Sequence, residues 1–403
     1  MSLRIIALSV LTVLLLGCGK DEPIEPKPKS NRTVLIYMSA NNNLSDSASG
    51  NLQQIVDGTS SYSLENNNLI VYLDRNRSQP MLLKIYDGKQ DTIKIYDNQS
   101  SGSPEVLGDV INKVRSDYNA NSFGLILWGH GTAWMAKDYM GSSTRFVLPA
   151  EPYRPTIKGY GSDNRNADIS MDDLQIAIPD NAFDYIIFDA CYMASVEVAY
   201  TLRNKTEYII SSSAEIWDMG FPYMKIIDAL FANDIEISLK TICDRFYNYY
   251  FLDEVRNRDQ SATVSLVSTA GLNSLAGITG NILKGNRTMA EALSLSKIQW
   301  FDRVNNSYPI MYLYPETHIL YDMEDYISNI ASPEQLSIFN EALKRVVIYE
   351  RHTDTMFEKG LDRGPSFDVN THCGLTMYPY YSMNIPELEA YYQTLDWYNA
   401  VYR

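Results

Sequence analysis

The sequence predicts an α/β fold with a mostly parallel central sheet and helical additions toward the C-terminus. Apolar, β-branched runs recur along the first 270 residues. Such runs are typical of strands that are buried on both faces of a parallel sheet. Segments with apolar residues at helical spacing separate these runs, and this alternation of strand and helix is typical of doubly wound sheets.

The first half of the chain has regular predicted elements. They are a strand at 33–40, a helix from about 45 to 56, a strand at 68–74, a hairpin at 81–97 and a helix at 104–118. Ser45 or Asp46 is suited to cap the first of these helices. Asp87-Gly88 lies between two alternating runs, which is the pattern of a tight hairpin turn.

Two predicted strands end in residues that can carry out catalysis. The run at 123–127 leads to Gly129-His130-Gly131, and the run at 183–188 leads to Asp189-Ala190-Cys191. Helical spacing begins at Met193, so Cys191 is predicted at a helix N-terminus, where partial positive charge favours the thiolate. If the strands are parallel neighbours, both side chains reach the same sheet edge, where open α/β sheets place their active sites.

Two further divisions of the chain follow from composition. The Pro- and Gly-rich loop at 132–169 is long for a compact domain, and loops of that length are usually functional or flexible. We predict a catalytic core at 33–270. We predict that 271–403 is a mostly helical region, packed on this core, with a returning strand near 346–350.

The N-terminus predicts export and a lipid anchor. Residues 1–17 carry one charge, Arg4, and a short apolar run that ends before Cys18, as in a bacterial signal peptide with a lipobox. Residues 18–32 are expected to form a lipid-anchored linker. The acidic pair Asp21-Glu22 resembles surface-export signals, so we predict an envelope lipoprotein at a Gram-negative outer membrane, exposed at the cell surface. An ordinary signal peptide with an incidental cysteine is the alternative.

The net charge and the cysteine content exclude some partners and cofactors. The net charge is −15, and it is −16 once Arg4 is removed, so a nucleic-acid partner is not expected. Cys243 and Cys373 could pair outside the cytoplasm, but we favour two buried free thiols. No CxxC or HExxH pattern is present, so no metal site and no cofactor are predicted. We expect a monomer.

Four segments resemble the clostripain-like cysteine peptidases, relatives of the caspase, legumain and gingipain group. They are TVLIYMSANNNL at 33–44, LIVYLDR at 69–75, LILWGHGTAW at 125–134 and FDYIIFDACYMASVEVAY at 183–200. The resemblance implies a caspase-like α/β/α sandwich and cleavage of protein or peptide substrates after a basic residue. It also implies a dyad of Cys191 as nucleophile and His130 as general acid/base. The backbone N–H groups of Gly131 and Cys191 are the expected oxyanion donors.

Each member of the proposed dyad also has a plain structural explanation. A lone buried cysteine is usually a small core residue, and a histidine after a strand is often only hydrogen-bonded structure. The two together, each ending a core strand in the family's order, favour catalysis. A surface binding protein that keeps the fold without activity is the competing hypothesis.

The resemblance implies two carboxylates in the pocket for the residue before the cleaved bond. The first falls on Asp189. The second falls on Met219, with Asp218 one position away. If Asp218 shifts into the pocket, specificity for Arg or Lys is kept. If Met219 occupies it, Asp189 alone faces the substrate, or the pocket prefers an uncharged residue.

Family members often mature by self-cleavage between the His and Cys strands. The basic candidates in the loop at 132–169 are Lys137, Arg145, Arg154, Lys158 and Arg165. Part of the family depends on calcium. No EF-hand spacing is present, so no residues are assigned to this ion.

Overall fold

A computed structural model describes residues 29–135, 160–161, 163–164, 168–252, 260–302, 318–356 and 366–403. The signal peptide, Cys18 and the five self-cleavage candidates lie outside the described residues. The predicted linker extends too far by three residues, because the first strand already begins at Ser30. No helix among the described parts of the chain is both long enough and apolar enough to cross a membrane.

The described strands number thirteen, and nine of them form the main sheet. They are Ser30–Ala40 (β1), Asn68–Arg75 (β2), Met81–Tyr86 (β3), Lys89–Ile95 (β4), Ala120–Trp128 (β5), Phe183–Asp189 (β6), Thr206–Ser211 (β7), Thr263–Ser268 (β8), Tyr321–Asp322 (β9), Val347–His352 (β10), Thr355–Met356 (β11), Phe367–Asp368 (β12) and Thr376–Met377 (β13). The main sheet has the order β10-β8-β7-β6-β5-β1-β2-β3-β4.

The centre of the main sheet is parallel and its two sides are antiparallel. β2, β1, β5, β6 and β7 pair in parallel. The pairings that add β3 and β4 on one side, and β8 and β10 on the other, are antiparallel. The expected hairpin joins β3 to β4, and Asp87 and Gly88 both adopt positive φ, as a two-residue type I′ turn requires.

Helices cover both faces of the sheet. They are Ser45–Ser61 (α1), Pro104–Asp117 (α2), Met171–Ala177 (α3), Val196–Thr201 (α4), Tyr223–Leu230 (α5), Ile235–Phe251 (α6), Leu272–Gly285 (α7), Arg287–Ala292 (α8), Met323–Ser328 (α9), Pro333–Val346 (α10), Pro386–Tyr392 (α11) and Asp396–Val401 (α12). The predicted α/β class is therefore confirmed.

Two hydrophobic cores explain why the central strands are apolar on both sides. Leu35 and Tyr37 of β1 pack in the core that includes α2, α3, α7, α10 and α12. Val34 and Ile36 pack in the opposite core, with α1, α5 and α6. Successive side chains of a strand point to opposite faces, so an apolar run without alternation gives a three-layer sandwich.

The C-terminal part of the chain completes these layers. β10 extends the main sheet beyond β8, and α7 and α10 contribute to the first of the two cores. Cys243 lies in one core and Cys373 in the other, and both are buried free thiols, which is the alternative that we favoured.

Candidate active site

The two predicted catalytic residues leave adjacent strands at the same edge of the sheet. β5 and β6 pair in parallel up to Trp128 and Asp189, and the N–H of Gly129 donates to the carbonyl of Asp189 (3.2 Å). Beyond this point Gly131 lies against Cys191. A Cβ at Gly131 would be 2.3 Å from the carbonyl oxygen of Cys191, so only glycine fits there. His130 and Cys191 therefore start from touching stretches of backbone.

The Cys191 side chain is half-buried and its sulfur contacts the backbone of a distant segment. The N–H of Ile216 donates to Sγ at 3.4 Å, and the Cys191 thiol donates to the carbonyl oxygen of the same residue at 3.7 Å. The chain around Cys191 is fixed by two more bonds, from the N–H of Tyr192 to Ala214 and from that of Ala194 to Ser212. The N–H of Ile216 stabilises a thiolate at this position, whereas the carbonyl of Ile216 stabilises the protonated thiol.

The helix predicted from Met193 begins three residues later than expected, so the prediction that Cys191 lies at a helix N-terminus is wrong. α4 begins at Val196, and the Ser195 hydroxyl caps it by accepting from the N–H of Val198. Cys191 lies in the turn before this cap. Because the helix dipole acts within the first turn, the backbone N–H that contacts Sγ comes from Ile216 and not from the start of α4.

The His130 imidazole is held by a residue that the sequence analysis missed. Nε2 lies 2.8 Å from Oδ1 of Asn43, in the turn after β1. With Nε2–H donating to this amide oxygen, Nδ1 is the basic nitrogen of the ring. The His130 carbonyl accepts from the N–H of Gly161 (3.1 Å). The available signal was position, since Asn43 follows the strand next to β5, at the same edge of the sheet.

Asp189 is buried directly below the loop that follows β7. Its Oδ2 accepts from the N–H of Phe221 (3.1 Å) and from the Tyr223 hydroxyl (2.8 Å). Gly220 has a φ of +58°, and a Cβ there would be 2.4 Å from this carboxylate. Burial raises the pKa of Asp189 to about 6, although both hydrogen bonds act to lower it. The loop therefore encloses a carboxylate that is ionised at neutral pH.

The other two predicted pocket residues lie nearer the surface. Asp218 is exposed, and its Oδ2 accepts from the Ser47 hydroxyl of α1 at 3.2 Å. Met219 is half-buried, and its carbonyl accepts from the Asn51 side chain at 2.8 Å. Both residues are thus tied to α1 by hydrogen bonds, whereas Asp189 is the acid enclosed beneath the loop.

Comparisons with known proteins show which peptidases this chain is similar to. The sequence matches the Clostripain family, peptidase C11, over residues 36–402. Clostripain from Hathewaya histolytica is 27% identical over 233 residues, covering 49% of this chain but only 42% of that relative.

Several solved structures match over almost the whole chain. An inactive zymogen C11 protease from Parabacteroides distasonis has a TM-score of 0.77 and 32% identity, and the match covers 93% of this chain and 99% of that one. A secreted C11 cysteine protease from Bacteroides thetaiotaomicron, in complex with an irreversible peptide inhibitor, has a TM-score of 0.73 and 28% identity, with coverage of 92% and 98%.

Proposed function

Because the chain belongs to the clostripain family, we propose that it is a cysteine endopeptidase whose reacting groups are Cys191 and His130. The observation that carries the proposal is the contact of Gly131 with the Cys191 backbone. That contact brings the ends of β5 and β6 close enough for one peptide bond to lie between them.

The chemistry follows from the groups at this edge. The Cys191 thiolate attacks the scissile carbonyl carbon, and negative charge develops on its oxygen. The N–H groups of Gly131 and Cys191 are the proposed donors to this oxyanion. His130 protonates the leaving amine as the C–N bond breaks, and it then takes a proton from the water that hydrolyses the thioester and frees the thiol. Asn43 positions the imidazole.

Substrates with Arg or Lys before the cleaved bond suit this site best. The enclosed Asp189 carboxylate supplies the opposite charge, and its burial strengthens the attraction because little water screens it. Asp218 is exposed beside Ser47, so we assign the charge recognition to Asp189 alone. The half-buried Met219 supports the alternative, a pocket that accepts uncharged residues.

A peptide library tests the activity and the specificity together. The purified chain is incubated with mixed peptides, and the cleavage sites are mapped with and without iodoacetamide. Cleavage after Arg or Lys that iodoacetamide abolishes supports the proposal. Thiol-sensitive cleavage after uncharged residues supports the alternative pocket, and no cleavage by correctly processed protein supports a silent binding protein. Among the described cysteines Cys191 is half-buried and the other two are buried, so we expect iodoacetamide to modify Cys191 before either of them.

Self-processing and lipid anchoring are further parts of the proposal. A structural relative is described as an inactive zymogen, which supports maturation by cleavage. We expect a nick after one of the basic residues between 136 and 165, and a Cys191→Ala protein that is nicked to the same extent would contradict self-cleavage. Incorporation of labelled palmitate that Cys18→Ser abolishes would support the anchor, and equal labelling of both proteins would exclude it.

A further inference from the structure

The last strand of the main sheet carries a cluster of metal-ligating side chains that the proposed dyad does not use. Glu350 and His352 lie two residues apart on β10, so both side chains project from one face of the sheet. His372 joins them from the segment before β13. Its Nδ1 lies 2.7 Å from Oε2 of Glu350, and Nδ1 of His352 lies 3.2 Å from the same oxygen.

We propose that Glu350, His352 and His372 bind a divalent transition-metal ion of the zinc class. One ligand atom from each residue lies within 4.8 Å of those of the other two. Zinc bonds of 2.0–2.1 Å in a tetrahedral site put neighbouring ligand atoms about 3.3 Å apart, so a small movement admits the ion. Two imidazoles with one carboxylate suit zinc and its neighbours better than calcium or magnesium.

The surroundings of the cluster resemble the support that metal ligands need. A ligating histidine usually donates its second N–H to a fixed acceptor, which sets the tautomer and the ring orientation. Nε2 of His372 lies 3.1 Å from the buried Ser213 hydroxyl, while Nδ1 faces Glu350. The Phe301 ring meets the His372 ring edge-on, with centroids 5.4 Å apart. His372 is therefore held with one nitrogen toward the cluster.

A second observation, at Ser265, also supports the proposed site. Ser265 lies directly opposite Glu350 in the pairing of β8 with β10, so the two side chains share a face of the sheet. Its hydroxyl is buried and has no hydrogen-bond partner among the residues that the structure describes. A water molecule bound to the metal would give this hydroxyl the partner that it lacks. Access for the ion exists, because the Glu350 and His352 side chains are 35% and 28% exposed.

The sequence patterns that usually indicate a zinc site do not include this arrangement of ligands. Those patterns place two ligands on one helix or in one tight loop, whereas here a strand supplies Glu350 and His352 and a separate segment supplies His372. The competing explanation is an ion-pair cluster without metal, in which both histidines donate to Glu350. The hydrogen bonds of that cluster would be replaced by bonds to the ion, with release of protons.

Zinc titration calorimetry on the full chain tests the proposal. The background carries Cys18→Ser and Cys191→Ala, so that neither thiol competes for the metal. We expect one Zn²⁺ per chain, with affinity at least tenfold weaker in His352→Gln and in Glu350→Gln. Ser213→Ala should weaken binding about 10- to 100-fold, as expected when the group that orients a ligand is lost.

His318→Gln is the matched control. His318 stacks on Trp300, its Nδ1 lies 2.7 Å from the Asp302 carbonyl oxygen, and it is not one of the three clustered residues. This variant should bind Zn²⁺ like the background protein, and Zn²⁺ should raise the unfolding temperature of both but not of His352→Gln. Absence of stoichiometric binding, or equal binding by His352→Gln, would leave an ion-pair cluster only. The background has no nucleophile, so either result is independent of the peptidase proposal.

Discussion

Replacing Asp189 with Asn should weaken catalysis and reduce the pH dependence of stability at the same time. The Asp189 carboxyl is 4% exposed, and its pKa is raised from the ordinary 3.8 to about 6. At neutral pH the folded protein therefore holds a carboxylate that burial disfavours. A difference of about two between the pKa of the folded state and that of the unfolded state corresponds to about 3 kcal/mol of folding free energy.

The sign of the stability effect is fixed by the direction of the pKa change. Below about pH 4 the carboxyl is protonated in both the folded and the unfolded state, so the ionisation of Asp189 does not change the free energy of unfolding. Between about pH 4 and pH 6 the unfolded chain loses the proton first, so stability falls as the pH rises, and the full cost is present above about pH 6. Asp189→Asn lacks this fall, because the amide does not titrate.

The catalytic effect has the opposite sign for basic substrates. Removing one partner of a buried charge pair costs about 2–5 kcal/mol. Asp189→Asn should thus lower kcat/KM for Arg and Lys peptides by about 30-fold to several thousand-fold. In the parent, cleavage of these peptides should decline as the pH falls through about 6, because the carboxylate becomes neutral. Peptides with an uncharged residue at the same position should be far less affected.

Two measurements check this reasoning. Unfolding midpoints of both proteins are followed from pH 4 to pH 8, and kcat/KM is measured with paired peptides that differ only in Arg or norleucine. A parent and a variant with the same pH slope of stability would show that the buried carboxylate does not titrate as described. Equal losses on both peptides would show that Asp189 acts in structure and not in charge recognition.

Three further changes have defined outcomes. Gly131→Ala should reduce kcat at least 100-fold, because the added Cβ would collide with the backbone of Cys191. Gly50→Ala, on an open face of α1, should keep full activity. Equal activities of the two variants would contradict the contact of Gly131 with Cys191. Asn43→Ala should lower kcat about tenfold and move its pH profile, as seen in initial rates, while Asn41→Ala should leave that profile in place. Burial raises the pKa of Glu197 to about 7, so stability in the parent should decline between about pH 4.5 and pH 7, and denaturation of Glu197→Gln should lack that decline.

The central strands, and the placement of His130 and Cys191 at one edge of the sheet, were predictable because their signals are local. An apolar run without alternation reports burial on both faces, and the runs that precede His130 and Cys191 are both of this kind. The order of these segments then carried the family resemblance. The start of α4 was misplaced because Ala194 and Ser195 pair with a distant part of the chain, near Thr376. The Ala194 carbonyl accepts from the N–H of Thr376, a contact that no local pattern reports.

The segment just after β7 makes three contacts that the sequence did not predict. Ser213 contacts His372, Ile216 contacts the Cys191 sulfur, and the same loop continues to Gly220 above Asp189. Ile216 lies three positions after Ser213, so one short backbone stretch makes both contacts. An ion bound by His372 would therefore fix one end of the segment whose other end touches the nucleophile. The edge of the sheet at β10 and the proposed dyad are consequently parts of one connected structure, although the chain separates them by more than 150 residues.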